Sequence, residues 1–520
     1  MSAAAAARLY RLFIVALLGF ASGLPLALTG QALQTWLTVD GVDLATIGFL
    51  GLVGLPYTFK FLWAPLMDRF ELPLLGRRRG WLVLTQLLLA ALLLALSTLS
   101  PTAALRAFAL LAVAVAFVSA SQDVVIDAYR TELLPAPERG LGASLNVAGY
   151  RVAMIVSGGL ALIWTDAAQG GGWTWPEVYR LMAALMVGAA LVSALLLPRL
   201  PAVSAEPLGA GGARRELLGF AAVLAAVACG VLLTDRFGGL VSKALLGSWL
   251  QGTQLPAALQ GRWIDLGALL LGMAVTLPLA AWAAQRARFD TLLAGLRDYF
   301  SHPGAGAILL LIVLYKLGDA FAGALLTPFL LKGMGYASAE VGVVNKVLGL
   351  WLTIAGALLG GALMLRLGLW RALLGFGALQ MVSNLGFWWL AKGGKGQLGD
   401  VQLPAFDWGF VKLAQATPVD GGLLAVVAVE NLSGGMGTAA FLAFLMSLCS
   451  QRFTATQFAL LSAFASVGRV WVGPLAGVLA ETIGWPPFFI VSTLFGLPAL
   501  LMLLWLRGPV RALDGASQRA

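Results

Sequence analysis

The chain has 520 residues, of which 60% are hydrophobic and only 11% are charged, and its mean hydropathy is +0.89. Soluble domains carry about 25% charged residues, so this composition excludes soluble enzymes, disordered chains and fibrous proteins. The net charge of +10 comes from short basic groups between apolar runs, without a nucleic-acid motif, which is typical of the loops of a membrane protein rather than of nucleic-acid binding.

Apolar runs long enough to cross a bilayer recur along the chain. A span needs about 20 apolar residues, and such a run is helical because its backbone polar groups find no partners in lipid. The first run is too long for the core of a secretory signal and lacks a convincing cleavage site after it, so it is predicted to be a retained helix. The predicted spans lie near 10–33, 43–66, 80–99, 105–131, 141–165, 178–197, 216–234, 263–284, 305–331, 339–365, 369–391, 422–449, 455–480 and 485–506.

The spans divide into two sets of six with an insertion between them. The stretch 200–216 is rich in Ala, Gly and Pro, which is typical of a linker, and the two weaker spans follow it. The predicted fold class is an all-α polytopic membrane protein with about 14 transmembrane helices and a duplicated transporter architecture. The predicted domains are a six-helix half at 1–198, a linker with two inserted helices and a cytoplasmic connection at 199–304, a second six-helix half at 305–507, and a cytoplasmic tail at 508–520.

Lys and Arg are distributed unequally between the two sides of this predicted membrane protein. If the N-terminus is inside, the inside segments hold 20 of the 34 basic residues and the outside segments hold 9. Basic loops resist translocation, so both termini are predicted to lie in the cytoplasm. The connections at 235–262 and 392–420 are then outside.

Nine charged residues lie inside predicted spans. They fall on helices two, four and five of the first half and on helices one, two, four and five of the second, whereas the third and sixth helices carry none. An ionised side chain costs several kcal/mol in hydrocarbon, so we predict a polar cavity lined by the charged helices. The alternative is that the charges only pair with one another to hold helices together. The nine residues are Lys60, Asp123, Asp127, Arg151, Lys316, Asp319, Lys346, Glu430 and Arg469.

Two loops at equivalent places in the halves carry related basic motifs. Asp68 and Arg69 are followed by 76–80, which reads G-R-R-R-G, and the matching loop at 361–371 keeps two glycines and two arginines. These loops resemble the loop motif of the major facilitator superfamily, G-x-x-x-D-R-x-G-x-R-R, with five extra residues before Gly76. Loop arginines can pair with Asp68 and with an acid on the fourth helix, which would latch the halves together. The residues predicted for this latch are Asp68, Arg69, Arg77, Arg78, Arg79 and Asp127.

Longer stretches narrow the resemblance to the AmpG-type muropeptide permease family, across 8–198 and 285–507. The resemblance implies import of anhydro-muropeptides (GlcNAc-anhydroMurNAc-peptides) from periplasm to cytoplasm for cell-wall recycling, driven by proton symport. It also implies a bacterial inner membrane and a link to β-lactamase induction. The insertion at 199–284 has no counterpart in the shortest family pattern, so its role stays open. The stretches are 19–26, 59–69, 119–123, 149–151, 315–320, 342–346, 430–437 and 455–462.

The chemistry of such a ligand selects candidate binding residues. Its peptide carboxylates need cations, and its sugars need polar groups and the faces of aromatic rings such as Trp36 and Trp351. Arg151 is the first candidate because a planar guanidinium can hold a carboxylate with two hydrogen bonds. The full set predicted to bind substrate is Arg151, Lys60, Lys316, Lys346, Arg469, Gln31, Gln34, Gln122, Asn345, Asn431, Tyr150 and Tyr315.

Proton coupling needs a side chain that changes its charge. The one histidine, His302, lies in a connection outside the membrane region, so a carboxyl group in a span must carry the proton. Asp123 is the first candidate because Arg151 could exchange it for a substrate carboxylate, and Glu430 and Asp319 follow. The alternative is that all three belong to fixed ion pairs.

Two other classes of function compete with this interpretation. An intramembrane enzyme has little support. The turn at 142–144 faintly resembles a serine-protease turn, but the one histidine, His302, lies in a cytoplasmic connection, and neither H-E-x-x-H nor a phosphate loop is present. A major facilitator carrier of another bulky anion, such as a siderophore or acyl-CoA, is the alternative transporter. Cys229 and Cys449 lie in apolar runs, and no metal-ligand spacing exists. We predict no cofactor, no metal and no nucleic acid; the partners are the substrate, protons and membrane lipid around a monomer.

Overall fold

The structure is a computed structural model of the chain. Helices account for most of it, and short strands lie in one connection of the described part. It describes residues 3–40, 51–72, 75–165, 172–200, 210–252, 256–302, 304–326, 329–336, 340–341, 344, 348–407, 412–413, 416–450 and 452–515.

The helices of the first half follow the predicted spans. They are α1 (Ala3–Thr29), α2 (Gln31–Val39), α3 (Leu55–Phe59), α4 (Ala64–Arg69), α5 (Arg77–Leu96), α6 (Leu105–Leu133), α7 (Ala136–Met154), α8 (Ala161–Thr165) and α9 (Trp175–Leu196). The first span divides at Gly30, shortly after Pro25, and two 3-10 turns break the second span at Gly51–Gly54 and Lys60–Leu62. A π-helical segment at Ile155–Leu160 joins α7 to α8.

The linker, the two inserted helices and the connection after them (199–304) are together called the insertion from here on. It forms helices, and those at the two predicted inserted spans are longer than predicted. They are α10 (Ala210–Leu233), α11 (Gly239–Gln251), α12 (Ala257–Arg286) and α13 (Asp290–Ser301). A π-helical segment at Thr234–Gly238 joins α10 to α11 into one helix, which packs antiparallel on α12. Gly230 lies against Thr276 and Gly272 against Thr234, so a larger residue at either glycine would clash and the two helices could not approach this closely.

The second half repeats the pattern of broken and continuous helices. They are α14 (Ala305–Tyr315), α15 (Leu317–Ala324), α16 (Gly349–Leu367), α17 (Leu369–Gly393), α18 (Gly421–Leu448), α19 (Thr454–Ile483), α20 (Trp485–Leu494), α21 (Leu497–Trp505) and α22 (Arg507–Gly515). Helix α22 occupies most of the predicted tail. The guanidinium groups of Arg507 and Arg511 lie 5.2 and 4.7 Å from the centroid of the Trp370 ring, which holds this helix against α17.

A β-hairpin stands in the connection between α17 and α18, where the sequence predicts only a loop. Strand β1 (Asp400–Leu403) pairs antiparallel with β4 (Thr417–Asp420), and β2 (Phe406–Asp407) pairs with β3 (Lys412–Leu413). The base of the hairpin is fixed by Asp420, whose carboxylate accepts hydrogen bonds from the backbone N–H of Leu423 at 2.8 Å and from that of Gly396. Asp420 therefore caps α18 while it holds the end of the hairpin.

The two halves meet along α7 and α16 through small residues. Gly361 lies against Ser144, and a Cβ atom on Gly140 would clash with Met364. Nearby, Val147 and Ala357 belong to one buried cluster that spans both halves. Small side chains at this interface allow the helix backbones to approach closely.

The outward faces of the bundle are apolar. Helices α5 and α9 expose large side chains such as Leu87, Leu94, Leu191 and Leu195, the last of which is 77% exposed. Exposing such a surface to water would be unfavourable, whereas contact with the hydrocarbon chains of lipid is not. These are the third and sixth helices of the first half, on which the sequence has no charged residue in the interior of a predicted span.

Ten described helices are long and apolar enough to cross a membrane. They are Ala5–Thr29, Arg77–Leu96, Leu105–Leu133, Trp175–Leu196, Arg214–Gln251, Ala305–Gly323, Gly349–Leu367, Leu369–Gly393, Gly421–Leu448 and Trp485–Trp505. A shorter apolar helix, Thr454–Ala465 within α19, accompanies them. The predicted all-α polytopic fold is confirmed, while the count of 14 spans and the domain boundaries stay predictions.

Candidate functional site

Four polar side chains from four helices form what we call the first-half cluster: Ser22, Tyr57, Asp123 and Tyr150. The Ser22 hydroxyl on α1 donates a hydrogen bond to the Asp123 carboxylate on α6. Tyr57 and Tyr150 are close enough to interact electrostatically with Asp123. The Tyr57 hydroxyl lies near Ser119 without meeting the geometry of a hydrogen bond to a described partner. The cluster is a set of hydroxyl groups around one half-buried carboxyl group.

Glycines on α1 and α7 explain why this cluster can form. Gly19 lies against the backbone of Asn146, and Gly23 against that of Tyr150, while Gly149 lies against Ala16. Any side chain at these glycines would clash with backbone, so the two helices cross at close range only because the residues are glycines. This crossing sets Tyr150 beside Ser22 and Asp123.

A row of charged residues runs from Asp123 along α6. Asp127, one turn further, pairs with Lys60 at 3.2 Å and with Arg130 at 2.8 Å. Arg130 in turn donates to the Asn146 side chain on α7. The charges of Lys60, Asp127 and Arg130 all act on Asp123. Neutralising Asp123 by protonation would therefore change the balance of the whole row.

The second half carries a matching polar group, which we call the second-half cluster: Lys316, Asp319, Glu430, Asn431 and Thr353. The Lys316 ammonium lies 3.7 Å from the Asp319 carboxylate. The Glu430 carboxylate accepts a hydrogen bond from the Asn431 amide at 2.9 Å, and the Asn431 carbonyl accepts one from Thr353 at 2.9 Å. Asp319 and Glu430 are close enough to interact electrostatically. Two carboxyl groups thus lie near each other inside this half.

A third group of charges, the Asp68 cluster, closes one end of the bundle. It consists of Asp68, Arg78, Glu132 and the first turn of α19 with Ala455 and Thr456. The Asp68 carboxylate accepts hydrogen bonds from the N–H groups of Ala455 at 3.1 Å and Thr456 at 2.7 Å. It also accepts one from the Thr456 hydroxyl at 2.6 Å and one from Arg78 at 2.7 Å. A first-half carboxylate therefore caps a helix of the second half.

Burial strengthens the ion pairs and hydrogen bonds of the Asp68 cluster. Only 2% of the Arg78 side chain and 1% of the Asp68 side chain are exposed, and Arg78 also pairs with Glu132. The positive end of the α19 dipole and the guanidinium both favour the Asp68 charge. Removing one partner of such a buried pair costs about 3–5 kcal/mol. The contact can therefore hold the two halves together at this end.

The remaining latch residues occupy different positions around this cluster. Arg77 reaches Glu132 at 3.3 Å, and Arg79 donates to the Ala194 carbonyl. Arg69 is close enough to interact electrostatically with Glu216 of the insertion. The acid of α6 in contact with Arg78 is Glu132, whereas Asp127 pairs with Lys60 and Arg130 instead.

Three residues proposed from sequence to meet the substrate are engaged in packing. Gln122 is fully buried, and its amide donates to the Ala21 carbonyl at 2.8 Å. The Tyr315 hydroxyl donates to the Leu373 carbonyl at 3.0 Å. Trp36 is buried among aromatic rings, such as that of Phe108 at 5.1 Å. Their polar or aromatic character serves the contacts between helices.

Other predicted site residues differ in how far the structure describes them. Arg151 and Tyr150 lie half-buried on α7, and Trp351 is 40% exposed on α16. Lys346 and Asn345 lie outside the described residues. Three more predicted site residues lie on α2 and α19, where the structure does not describe their side chains. They are Gln31, Gln34 and Arg469.

Sequence reasoning missed several residues of these clusters. Ser22 and Tyr57 are uncharged, so a search for embedded charges passes over them. Glu132 follows the end of the predicted span at 105–131, so a search for charges inside spans does not include it, although the latch requires an acid at this place on the fourth helix. Thr456 lies in one of the stretches that carry the family resemblance, and this was its only signal.

Comparisons with known proteins agree with this architecture. The Major Facilitator Superfamily model matches residues 15–410. The anhydromuropeptide permease of Escherichia coli K12 is 44% identical over 94% of this chain and 78% of its own length. An uncharacterized protein of Haemophilus influenzae is 32% identical over 95% of this chain and 94% of its own. The solved proton:xylose symporter XylE superposes with a TM-score of 0.56 at 13% identity, covering 96% of each chain, which shows a shared fold.

The fold and these matches define a multi-pass membrane transporter of the major facilitator type, so the predicted fold class is confirmed. Within that superfamily, the chain belongs to the family of the anhydromuropeptide permeases. The family resemblance predicted from the sequence is confirmed.

Proposed function

We propose that the chain imports anhydro-muropeptides from the periplasm into the cytoplasm of a Gram-negative bacterium, unchanged and by proton symport. The observation that supports this best is the 44% identity over 94% of the chain with a relative named anhydromuropeptide permease. The proposed place is the inner membrane, with a monomeric chain and both termini in the cytoplasm. The proposed driving force is the proton gradient, and a carboxyl group inside the helix bundle is proposed to carry the proton.

The proposed substrate path lies between the first-half and second-half clusters. Arg151 is the proposed primary partner of the peptide carboxylates, because it is half-buried and adjoins Tyr150 and the glycine crossing. On the opposite half, Lys316 lies 3.7 Å from Asp319 and the Asn431 amide donates to Glu430 at 2.9 Å, so each must exchange that partner to bind substrate. Lys60 is paired with Asp127 at 3.2 Å, so it must exchange that partner before it could bind an anion.

Asp123 is the proposed proton carrier. Its carboxylate accepts a hydrogen bond from Ser22 and lies within reach of the charges of Lys60, Asp127 and Arg130. In the proposed cycle, a substrate carboxylate takes over part of the nearby positive charge and Asp123 takes up a proton. Substrate and proton then cross together, because the charges of the site are balanced only when both are bound. Glu430 and Asp319 are the proposed second candidates.

The Asp68 cluster is the proposed gate on the cytoplasmic side. In this structure it joins α4 to the first turn of α19, while α7 and α16 are packed together. Opening this end requires the Asp68 carboxylate to leave the N–H groups of α19. The proposed cycle therefore binds substrate while the cluster is formed and releases it after the cluster breaks.

Uptake by cells tests the proposed function. Labelled anhydro-muropeptide is offered to a Gram-negative strain that lacks its own permease and expresses this chain. Accumulation that unlabelled anhydro-muropeptide blocks, and that a ferric siderophore or an acyl-CoA leaves unchanged, supports the proposal. Accumulation of either competing solute without that of the muropeptide would contradict it.

The orientation leads to a labelling prediction. In a variant without Cys229 and Cys449, single cysteines are introduced as Ala205→Cys in the linker and Asp400→Cys in β1. We expect an impermeant thiol reagent to label position 400 in intact cells, and position 205 only after the membrane is made permeable. We expect this because basic loops resist translocation, so the linker and the other basic loops stay in the cytoplasm. Labelling of 205 but not 400 in intact cells would reverse the orientation.

Arg151→Lys tests the proposed carboxylate contact. Lysine keeps the charge but loses the planar two-bond geometry, so we expect uptake of a peptide-bearing ligand to fall about tenfold. Uptake of the sugar portion without its peptide should change much less. Initial uptake rates of the two ligands provide the comparison, and Arg297→Lys on the exposed face of α13 is the matched control. Equal losses for both ligands would show that Arg151 has a structural role and does not bind the peptide carboxylates.

A further inference from the structure

Helix α13 of the insertion lies against both halves at the Asp68 end of the bundle. Phe289, just before α13, and Leu292 in its first turn are buried in one apolar cluster. The same cluster contains Met67 from the first half, next to Asp68, and Ala455 from the first turn of α19. The insertion therefore shares a core with the two elements that the Asp68 carboxylate joins.

Hydrogen bonds fix α13 to the insertion on one side. The Glu216 carboxylate on α10 accepts from the backbone N–H of Thr291 at 3.1 Å and from its hydroxyl at 2.8 Å. Glu216 is buried, and the charge of Arg69 on α4 acts on it. The first turn of α13 is thus held by a carboxylate that lies close to the first half.

The other side of α13 is bound to the start of α19. The Gln457 amide donates to the Asp298 carboxylate at 2.8 Å and to the Gly295 carbonyl at 3.3 Å. A Cβ atom on Gly295 would lie 3.2 Å from the methyl group of Thr456, so the helices touch at this point. Thr456 is the residue whose N–H and hydroxyl both bind Asp68.

We propose that the insertion is a strap that holds the Asp68 end closed and sets how often it opens. Opening must carry the first turn of α19 away from Asp68, and α13 is bonded to that turn through Gln457 and to α10 through Glu216. One of these attachments must therefore break or shift when the gate opens. This inference rests on the proposed alternating-access function and assigns a role to the inserted segment.

Two substitutions weaken the strap in different ways. Glu216→Leu removes the acceptor for Thr291, and Gly295→Val inserts a side chain between α13 and Thr456. Each change removes the equivalent of one or two hydrogen bonds from the closed state, so we expect the open population to rise about fivefold. Controls are Arg297→Leu, on the exposed face of α13, and Gly306→Val, since a Cβ atom at Gly306 meets no atom within 4 Å.

Spin-label distances report the opening. Labels are placed at Arg199 after α9 and Arg366 at the end of α16, both exposed, in a variant without Cys229 and Cys449. Asp68→Asn in the same background serves as the reference for an opened gate. Each variant is first checked for monodisperse elution in detergent, and where one strap variant fails to fold the other decides.

The outcomes separate the strap from the proposed function. A larger long-distance population in the strap variants, with both controls unchanged, supports the strap. Unchanged distances in folded strap variants, while Asp68→Asn shifts them, would overturn it. Unchanged distances in all variants would overturn both the strap and the proposed gate. A shift without any muropeptide uptake by the parent chain would contradict the proposed substrate but keep the strap.

Discussion

Asp123→Asn is expected to abolish accumulation of substrate that is driven by a pH gradient. Asparagine resembles the protonated carboxyl group in shape but cannot release a proton, so transport continues only down the substrate gradient. One pH unit across the membrane supports about tenfold accumulation for a one-to-one symporter, because 1.4 kcal/mol corresponds to a factor of ten. We expect this factor to be lost, while exchange of internal for external substrate is retained.

Proteoliposomes loaded with buffers of different pH provide the measurement. Asp235→Asn is the matched control, because Asp235 is exposed on the insertion and takes no part in the clusters. Ser22→Ala should have a smaller effect, since it removes one hydrogen bond to the carboxylate and keeps the titrating group. If Asp123→Asn still concentrates substrate and an uncoupler still stops it, Asp123 is not the carrier.

Asp68→Asn is expected to reduce uptake at least tenfold and to open the Asp68 end of the bundle. The change removes the negative charge that Arg78 and the first turn of α19 share, which destabilises the closed state by about 3 kcal/mol. That energy corresponds to more than a hundredfold change in the ratio of closed to open molecules. A transporter that cannot close this end cannot hold its substrate site open to the other side.

Uptake rates and thermal unfolding of the purified protein check this result. Glu71→Gln is the control, because Glu71 is exposed in the same loop and lies outside the cluster. Glu132→Gln should lie between the two, since Arg78 would keep its contact with Asp68 at 2.7 Å. Normal uptake by Asp68→Asn would show that the cluster is not the gate.

The sequence predicted the helices well because lipid leaves so few alternatives. A run of apolar residues long enough to cross the bilayer must satisfy its backbone internally, so composition and length are sufficient. The breaks within spans were harder to locate. Pro25 lies inside α1, whereas the chain breaks at Gly30, and α10 continues past its predicted end at 234 through a π-helical segment into α11. Local packing, rather than hydropathy, decides these points.

The contacts of the candidate site could be predicted only in part. The loop motif identified Asp68 and Arg78 as latch residues. Asp68 also binds the backbone of Ala455 and Thr456, which lie 387 and 388 residues away in the sequence. A helix N-terminus whose N–H groups bind a carboxylate has no distinctive sequence pattern. Gln122 has a contact that the sequence does not show, since its amide donates to the Ala21 carbonyl; its role toward a ligand stays a prediction.

The β-hairpin between α17 and α18 could not be predicted for a different reason. Its strands have two to four residues, too few for an alternating pattern to stand out from a loop. Its position depends on Asp420, whose backbone N–H donates to Glu340 at 2.8 Å from a distant part of the chain. Tertiary contacts of this kind, rather than the local sequence, determine where the hairpin forms.

Transport by the purified chain in proteoliposomes tests the central claim most directly. Labelled anhydro-muropeptide is placed outside vesicles whose interior is made one pH unit more alkaline than the outside. We predict accumulation to about ten times the external concentration, abolished by an uncoupler and absent from vesicles with Asp123→Asn. Accumulation that is absent, or that is the same with and without the pH gradient, would contradict proton-driven import of muropeptides.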